Sequence, residues 1–268
     1  MTKTQSDGHM PTVCLVNDDG PESTGLLRLA EALSKSMNVV VIVPNSQRSG
    51  TGKALTLDRP IRITERTDSK QYRFIVHDGL PADSVVLALS MIDNISLFVS
   101  GINAGANLGY HRMLTSGTVG AVLEAALQGY PAIAVSLAVA PEYWFSNMRD
   151  DSNLEKVCSK AVALIERVLQ KGLPIGSDAL NMNFPANLSD ESRLVISKPT
   201  TVGVMNRLEE RTDPYGGLYY WIRGGEIESR SSDDALEVLE RNNISVSPIV
   251  IKGVREEDVE NLRRFLED

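Results

Sequence analysis

The chain has 268 residues, of which 42% are hydrophobic, and its formal net charge is −8 at pH 7. This length suits one large α/β domain or a core with a small extension, and the acidic balance disfavours a nucleic-acid polymer as the main partner, because phosphate backbones attract basic surfaces. The two cysteines are too few for a disulfide framework. The chain shows no apolar run of membrane-spanning length and no signal peptide, which predicts a cytoplasmic protein without a membrane partner. Gly8-His9-Met10 resembles a cloning scar, and residues 1–9 are left out of the fold prediction.

The first unit predicted along the chain is a βαβ unit. Residues 12–16 form an apolar run typical of a buried strand, and residues 24–36 have the periodicity of an amphipathic helix. Residues 39–43 form a β-branched run that suits a strand buried on both faces of a parallel sheet. Asp18 and Asp19 follow the first strand directly, and ligands of open α/β sheets bind at such carboxyl ends of strands.

The pair Asp18 and Asp19 indicates a cation site. Two adjacent carboxylates repel each other unless a cation or protons neutralise them. A hard divalent metal bound through oxygen atoms would keep both ionised. The alternative is a solvated Asp-Asp-Gly turn, because these residues are common turn formers.

Two later loops also follow predicted strands and contain side chains that could bind a metal or an anion. Residues 45–52 follow the strand at 39–43 and contain Arg48 and Ser49, which suit an anion or a metal shell as well as an ordinary surface loop. Residues 101–109, rich in Gly and Asn, follow a predicted strand at 96–100. Ser116-Gly117-Thr118 then opens a helix at 121–128, where free backbone N–H groups could seat a phosphate or Ser116 or Thr118 could simply cap the helix.

The remaining elements complete an α/β fold with a Rossmann-like, mostly parallel sheet flanked by helices. We predict a core at residues 11–193, a protruding arm at 194–230 that mediates oligomerisation, and a segment at 231–268 that returns to the core. The other predicted strands are at residues 61–64, 72–76, 132–137, 179–185, 194–197, 218–222 and 244–251, and the other predicted helices are at 81–92, 153–170, 232–241 and 255–266.

The three polar loops should meet at one edge of the sheet, because each follows a predicted parallel strand. Together they offer the carboxylates of Asp18 and Asp19, the hydroxyl of Ser49 and the amide oxygen of Asn103. An all-oxygen set of this kind selects magnesium, manganese or calcium over zinc. The three histidines have no mutual spacing that suggests a zinc site.

The chain also resembles a known family through the order of its motifs. In sequence, they are Asn17-Asp18-Asp19-Gly20, Arg48-Ser49-Gly50, residues 100–109 and Ser116-Gly117-Thr118, followed by weaker ones at residues 181–185 and 245–248. These motifs are similar to those of the SurE survival-protein nucleotidases. The resemblance covers nearly the whole chain from Pro11. It implies a metal-dependent phosphatase acting on nucleoside 5′- and 3′-monophosphates, a protruding carboxyl-terminal arm, and a homodimer or homotetramer.

The resemblance also assigns roles to residues. It implies Mg²⁺ or Mn²⁺ held by Asp18, Asp19, Ser49 and Asn103, with Asp18 and Asp19 catalytic. The residues that it implies for contact with the phosphate or the rest of the substrate are Asn17, Asn107, Ser116, Gly117 and Thr118. One departure concerns the substrate: family members usually carry acidic residues after Asn-Leu-Gly, whereas here Tyr110-His111-Arg112 follow.

The mechanism expected from these residues uses a metal-activated water as nucleophile, with Asp18 or Asp19 orienting it and backbone donors near residues 116–118 stabilising the phosphoryl charge. A phospho-aspartate-forming phosphatase is an alternative, although its two aspartates would be separated by one residue and these are adjacent. A non-catalytic nucleotide sensor on the same fold is another. A dinucleotide oxidoreductase is disfavoured, since no Gly-x-Gly-x-x-Gly follows the first strand.

Overall fold

The computed structural model describes residues 10–67, 71–140, 152–201, 206–223, 233–251, 253 and 256–267. The prediction for residues 1–9 and parts of the predicted arm at 194–230 lie outside these ranges. No helix of the described residues is long and apolar enough to cross a membrane.

The described strands build one large sheet and one hairpin. The strands are β1 (Thr12–Val16), β2 (Asn38–Pro44), β3 (Ile63–Arg66), β4 (Arg73–His77), β5 (Ile95–Ala104), β6 (Ala132–Leu137), β7 (Ala179–Phe184), β8 (Leu194–Ile196), β9 (Arg207–Thr212), β10 (Leu218–Arg223) and β11 (Ile244–Ile249). The helices are α1 (Thr24–Leu33), α2 (Pro81–Met91), α3 (Gly109–Thr115), α4 (Gly117–Leu127), α5 (Ser152–Lys171) and α6 (Glu256–Glu267), with a π-helical turn at Leu236–Glu240.

Nine of these strands form a mixed sheet in the order β3-β4-β2-β1-β5-β6-β7-β11-β8. The central run from β4 to β7 is parallel, whereas β3 and β11 run antiparallel to β4 and β7. The predicted Rossmann-like α/β fold is therefore confirmed. The chain builds outward from β1 to β2 and β4, and then returns to place β5 on the other side of β1. Ligands bind at such switch points of open sheets.

Apolar cores on both faces of the sheet explain the unbroken apolar strands. One core joins the sheet to α1 and α5 through residues such as Leu26, Leu29 and Ile165. The other joins it to α2 and α4 through residues such as Val85 and Val122. A strand covered on both faces buries consecutive side chains, which removes the alternation seen in half-exposed strands.

The carboxyl-terminal part differs from the prediction in two places. Leu194–Ile196 pairs in parallel with β11 and so belongs to the large sheet. Arg207–Thr212 forms β9, a strand that the sequence did not indicate because five of its six side chains are charged or polar. It pairs with β10 in a separate antiparallel hairpin. The turn is held by Asp213, whose carboxylate accepts hydrogen bonds from Tyr215 N and Gly217 N, both at 2.8 Å.

Candidate active site

A cavity of about 310 Å³ lies at the carboxyl edge of the sheet, beside the switch point between β1 and β5. Five of the residues singled out from sequence line it, and they come from four separate segments. These residues are Asp18, Ser49, Asn103, Asn107 and Ser116. The folded chain therefore brings the three polar loops together with the start of α4, as their positions after parallel strands predict.

Asp18 is held at the amino end of α4. Its carboxylate is 3% exposed and accepts a hydrogen bond from the Thr118 hydroxyl and from the backbone N–H groups of Gly117 and Thr118. Burial raises the pKa of the Asp18 carboxyl, and these hydrogen bonds partly oppose the rise. A Cβ on Gly117 would lie 2.8 Å from Asp18 Cβ, so a glycine is needed for the helix to approach this closely. The positive end of the helix thus faces the buried carboxylate.

Asp19 joins the end of β1 to the end of β5. Its Oδ2 atom accepts a hydrogen bond from Ala104 N at 3.2 Å, and Gln47 also bonds to the carboxylate. Burial and the neighbouring charge of Asp18 raise the pKa of Asp19 to about 7. A buried and a half-buried carboxylate that resist ionisation side by side are a site where a cation is favourable.

The neutral groups beside the aspartates complete an oxygen-rich set. Asn103 Nδ2 donates to Gly105 O at 2.5 Å, which leaves the amide oxygen as the free end of a side chain that lines the cavity. Ser49 is exposed at the tip of its loop and lines the same cavity. The described residues contain no group of three His, Cys, Asp or Glu side chains suited to a metal. The donor set therefore fits a hard divalent cation bound by two carboxylates and neutral oxygens.

Asn107 is fixed by the ends of β6 and β7. Its Nδ2 atom donates to Ser136 Oγ at 3.0 Å, and its backbone N–H donates to Asn183 Oδ1 at 2.8 Å. Its backbone carbonyl accepts from Asn181 Nδ2 at 2.9 Å. All four residues are buried. This network fixes the position of Asn107, which lines the cavity.

Three residues expected to contact a ligand have other partners. Asn17 is fully buried, and its amide donates to Gly20 O at 2.8 Å and accepts from Gly20 N at 3.2 Å, so it shapes the turn that carries Asp18. Gly117 and Thr118 donate to Asp18. In the structure these three residues support Asp18, and their direct contact with a ligand stays a prediction. Ser116 accepts from Val119 N at 3.2 Å and caps α4, as its position predicted.

The cavity wall also includes residues from α3. His111 and Arg112 lie on α3 and line the cavity together with Asn206, which precedes β9. Burial lowers the pKa of Arg112. The start of α3 is held by Asp234, whose carboxylate accepts from Gly109 N at 2.8 Å. No sequence signal indicated Asn206 or Asp234, because both act through contacts with distant segments.

Comparisons with known proteins agree with this geometry over nearly the whole chain. The model of the family described as survival protein SurE matches residues 13–206. The protein named 5′-nucleotidase SurE from Thermococcus kodakarensis is 38% identical over 259 residues, covering 95% of this chain and 98% of that protein. Proteins of the same name from Thermofilum pendens and Archaeoglobus fulgidus are 35% and 38% identical, covering 90% and 89% of this chain and 91% of each relative. The crystal structure of the SurE protein from Aquifex aeolicus matches with a TM-score of 0.76 at 31% identity, covering 96% of this chain and 100% of that one.

Proposed function

The chain belongs to the SurE family, and we propose that it is a metal-dependent 5′-nucleotidase that hydrolyses nucleoside monophosphates to nucleoside and phosphate. The observation that carries the proposal is the meeting of Asp18, Ser49 and Asn103 at one cavity, with Asp19 next to Asp18 and hydrogen-bonded to Ala104 N, in a chain whose relatives named above are 5′-nucleotidases. We also propose activity on 3′-monophosphates. The direct test is phosphate release from nucleotides in the presence of Mg²⁺ or Mn²⁺.

Each part of the site has a role in this reaction. Asp18, Asp19, Ser49 and Asn103 would hold the divalent cation, which, when bound, neutralises phosphoryl charge and acidifies water. The Thr118 hydroxyl and the amino end of α4 keep the Asp18 carboxylate in place and favour its charged form. One of the two aspartates orients the attacking water. Asn107 and Ser116 are proposed to contact the phosphoryl group, because both line the cavity.

Arg112 in the cavity wall suits the substrate's phosphate. Arg112 carries a planar, permanently charged group that can donate paired hydrogen bonds to phosphate oxygens. We propose that Arg112, with His111 beside it, binds the phosphoryl group from the side opposite the carboxylates. The positive charge of Arg112 would let the cavity bind an anionic substrate although the carboxylate of Asp18 also lines it.

We expect AMP and GMP to be hydrolysed with a higher kcat/KM than ATP. Arg112→Gln should lower kcat/KM for AMP about tenfold or more, because a charge-assisted hydrogen bond contributes roughly 1.5–3 kcal/mol. Arg28→Gln, on the exposed face of α1, is the matched control and should behave as the wild type. Phosphate release measured over a range of AMP, GMP and ATP concentrations, with adenosine 3′-monophosphate included, decides the outcome. Faster cleavage of ATP than of AMP would contradict the proposed substrate class.

Two other functions remain distinguishable by experiment. A phospho-aspartate enzyme would yield a trapped phosphorylated chain, and a nucleotide sensor would bind AMP without releasing phosphate. The buried position of Asp18 and its four hydrogen bonds favour a supporting and metal-binding role over direct attack on phosphorus.

We propose that the β9–β10 hairpin joins two or more copies of the chain into a homodimer or homotetramer. One face of this hairpin carries exposed apolar side chains: Leu208 and Ile222 lie directly opposite each other and are 70% and 72% exposed, with Leu218 and Tyr220 on the same face. An isolated two-stranded hairpin is marginal in water, and an exposed apolar patch marks an interaction surface. A second copy with the same patch can cover it symmetrically.

We expect light scattering at micromolar concentration to give the mass of a dimer or tetramer. Leu208→Glu/Ile222→Glu should reduce that mass to the monomer, because charges on both sides of a shared patch repel. Ile175→Glu is the control, since Ile175 is fully exposed in a loop of the core, and it should leave the mass unchanged. A wild-type protein that is monomeric at this concentration would refute the role of the hairpin.

We further propose the division into a catalytic core at residues 11–193, an arm within residues 194–230 and a returning segment at 231–268, with the arm's hairpin beginning at Arg207. A cytoplasmic location is proposed as well. It is supported by two free cysteines, Cys14 and Cys158, which are both buried and whose pKa values are raised by burial, because unreacted thiols persist in reducing compartments.

A further inference from the structure

The position of Ser49 depends on the loop that contains it, because its own side chain is exposed and packs against little. Residues 45–56, called here the Ser49 loop, leave the end of β2, and Ser49 and Gly50 are exposed at its tip. An exposed side chain on a polar loop has little apolar contact to restrict it, so its position depends on what holds the loop on either side. Upstream, Arg48 N donates to Asp18 O at 2.7 Å.

The first downstream anchor is on α3 and α4. Gly52 N donates to Thr115 O at 3.0 Å, and the Lys53 ammonium forms an ion pair with the carboxylate of Glu124, which is 3% exposed. The loop lies so close to α4 that a Cβ on Gly120 would lie 2.0 Å from Gly52 O.

The second downstream anchor is on α2. Asp83 is 3% exposed, and its carboxylate accepts from Thr56 N at 3.0 Å and from Thr56 Oγ1 at 2.6 Å. The same carboxylate accepts from Leu80 N at 2.7 Å, at the start of α2. One buried group therefore ties the far side of the loop to a helix packed in the core.

We propose that Glu124 and Asp83 are positioning residues that hold Ser49 at the metal-binding site. A buried carboxylate is costly unless it is paired, and both of these residues are paired with the Ser49 loop. A buried ion pair adds little net stability, so the proposed consequence of these contacts is the position of the loop. The inference rests on the proposed function, because it takes Ser49 as a ligand of the cation. Neither residue lines the cavity, so each acts through the loop.

The test is Mn²⁺ binding by calorimetry on the full chain, with AMP hydrolysis as a second readout. Glu124→Gln and Asp83→Asn should each raise the Kd for Mn²⁺ about tenfold, the usual cost of losing a group that orients a metal ligand. At saturating Mn²⁺ their kcat should return to within about threefold of the wild type, because excess metal restores occupancy. Glu237→Gln is the matched control: Glu237 is also buried and is paired with Arg241 at 2.6 Å, away from the loop. It should lower the melting temperature without changing the Kd.

Two milder variants keep the test decisive if either single variant fails to fold. Lys53→Met/Glu124→Gln removes the ion pair without leaving a buried charge, and Thr56→Val removes one hydrogen bond while Asp83 keeps two backbone donors. Both should raise the Kd. Unchanged Kd values in folded variants, beside a wild type that binds Mn²⁺ and hydrolyses AMP, would overturn this inference alone. A wild type that does neither would overturn the proposed function along with it.

Discussion

Asp18→Asn and Asp19→Asn are each expected to lower the rate of phosphate release from AMP by about a hundred- to a thousandfold or more. In EDTA, Asp19→Asn should nevertheless melt above the wild type and Asp18→Asn close to it. Activity falls because either change removes a carboxylate that holds the cation. The folded chain tolerates the change because the two carboxylates repel each other when no cation is bound.

The sign of the stability effect follows from the pKa of Asp19. Folding raises this pKa from 3.8 to about 7, so the contribution of Asp19 to stability is present below pH 3.8 and is lost as the pH rises through 7. Metal-free wild type should therefore be more stable at pH 5 than at pH 8, by an amount on the order of 2–4 kcal/mol. Asp19→Asn should lack the part of this dependence that Asp19 contributes and keep the part that comes from Asp18, whose pKa burial also raises. For Asp18→Asn, the loss of hydrogen bonds from Thr118 and Gly117 offsets the relief of repulsion.

Added metal is expected to reverse the order of the melting temperatures of the wild type and the variants. A cation that binds only the folded chain stabilises it by mass action, so wild type should gain melting temperature with Mg²⁺ or Mn²⁺ and both variants should lose most of that gain. Asp190→Asn is the control, because Asp190 is highly exposed and pairs only with Lys156 among the contacts described. Variants at Asp18 and Asp19 that keep near wild-type turnover would remove the basis of the proposed function.

Removal of metal is expected to abolish activity. Phosphate release from AMP should vanish in EDTA and return when Mg²⁺ or Mn²⁺ is added in excess, since the cation supplies charge neutralisation that the described residues around the cavity cannot supply alone. Ser49→Ala and Asn103→Ala should weaken metal binding. Ser49→Ala should leave the metal-free melting temperature unchanged because Ser49 is exposed, whereas Asn103→Ala also loses the hydrogen bond to Gly105 O.

Titration of Mn²⁺ against chelated protein, followed by calorimetry and by phosphate release, measures both effects. Ile175→Glu serves as the control for general damage, because Ile175 does not line the cavity. Full turnover in a sample freed of metal would show that the carboxylate pair serves another purpose.

The central sheet and the place of the site were predictable from the sequence because they depend on local pattern. Unbroken apolar runs at residues 12–16 and 39–43 indicate strands covered on both faces, and parallel strands bring their carboxyl ends to one edge. A polar residue at or just beyond the carboxyl end of such a strand lies at that edge, which is why Asp18, just after β1, and Asn103, near the end of β5, were found. Strand β9 was not predicted because its charged sequence lacks the alternation of apolar and polar residues that indicates a strand.

The sequence by itself thus determined the fold class, the edge of the sheet that carries the chemistry and the residue types available there. Only the tertiary structure decided which hydrogen-bond donor pairs with which acceptor. Thr118 and Asp18 are 100 residues apart, and their hydrogen bond directs the amino end of α4 to a carboxylate rather than to a ligand. The same is true of Asp83 with Thr56 and of Glu124 with Lys53. Such pairings depend on how the helices pack against the sheet. The hydrophobic periodicity of a segment predicts its secondary structure, but it does not predict which distant residue a given side chain will contact.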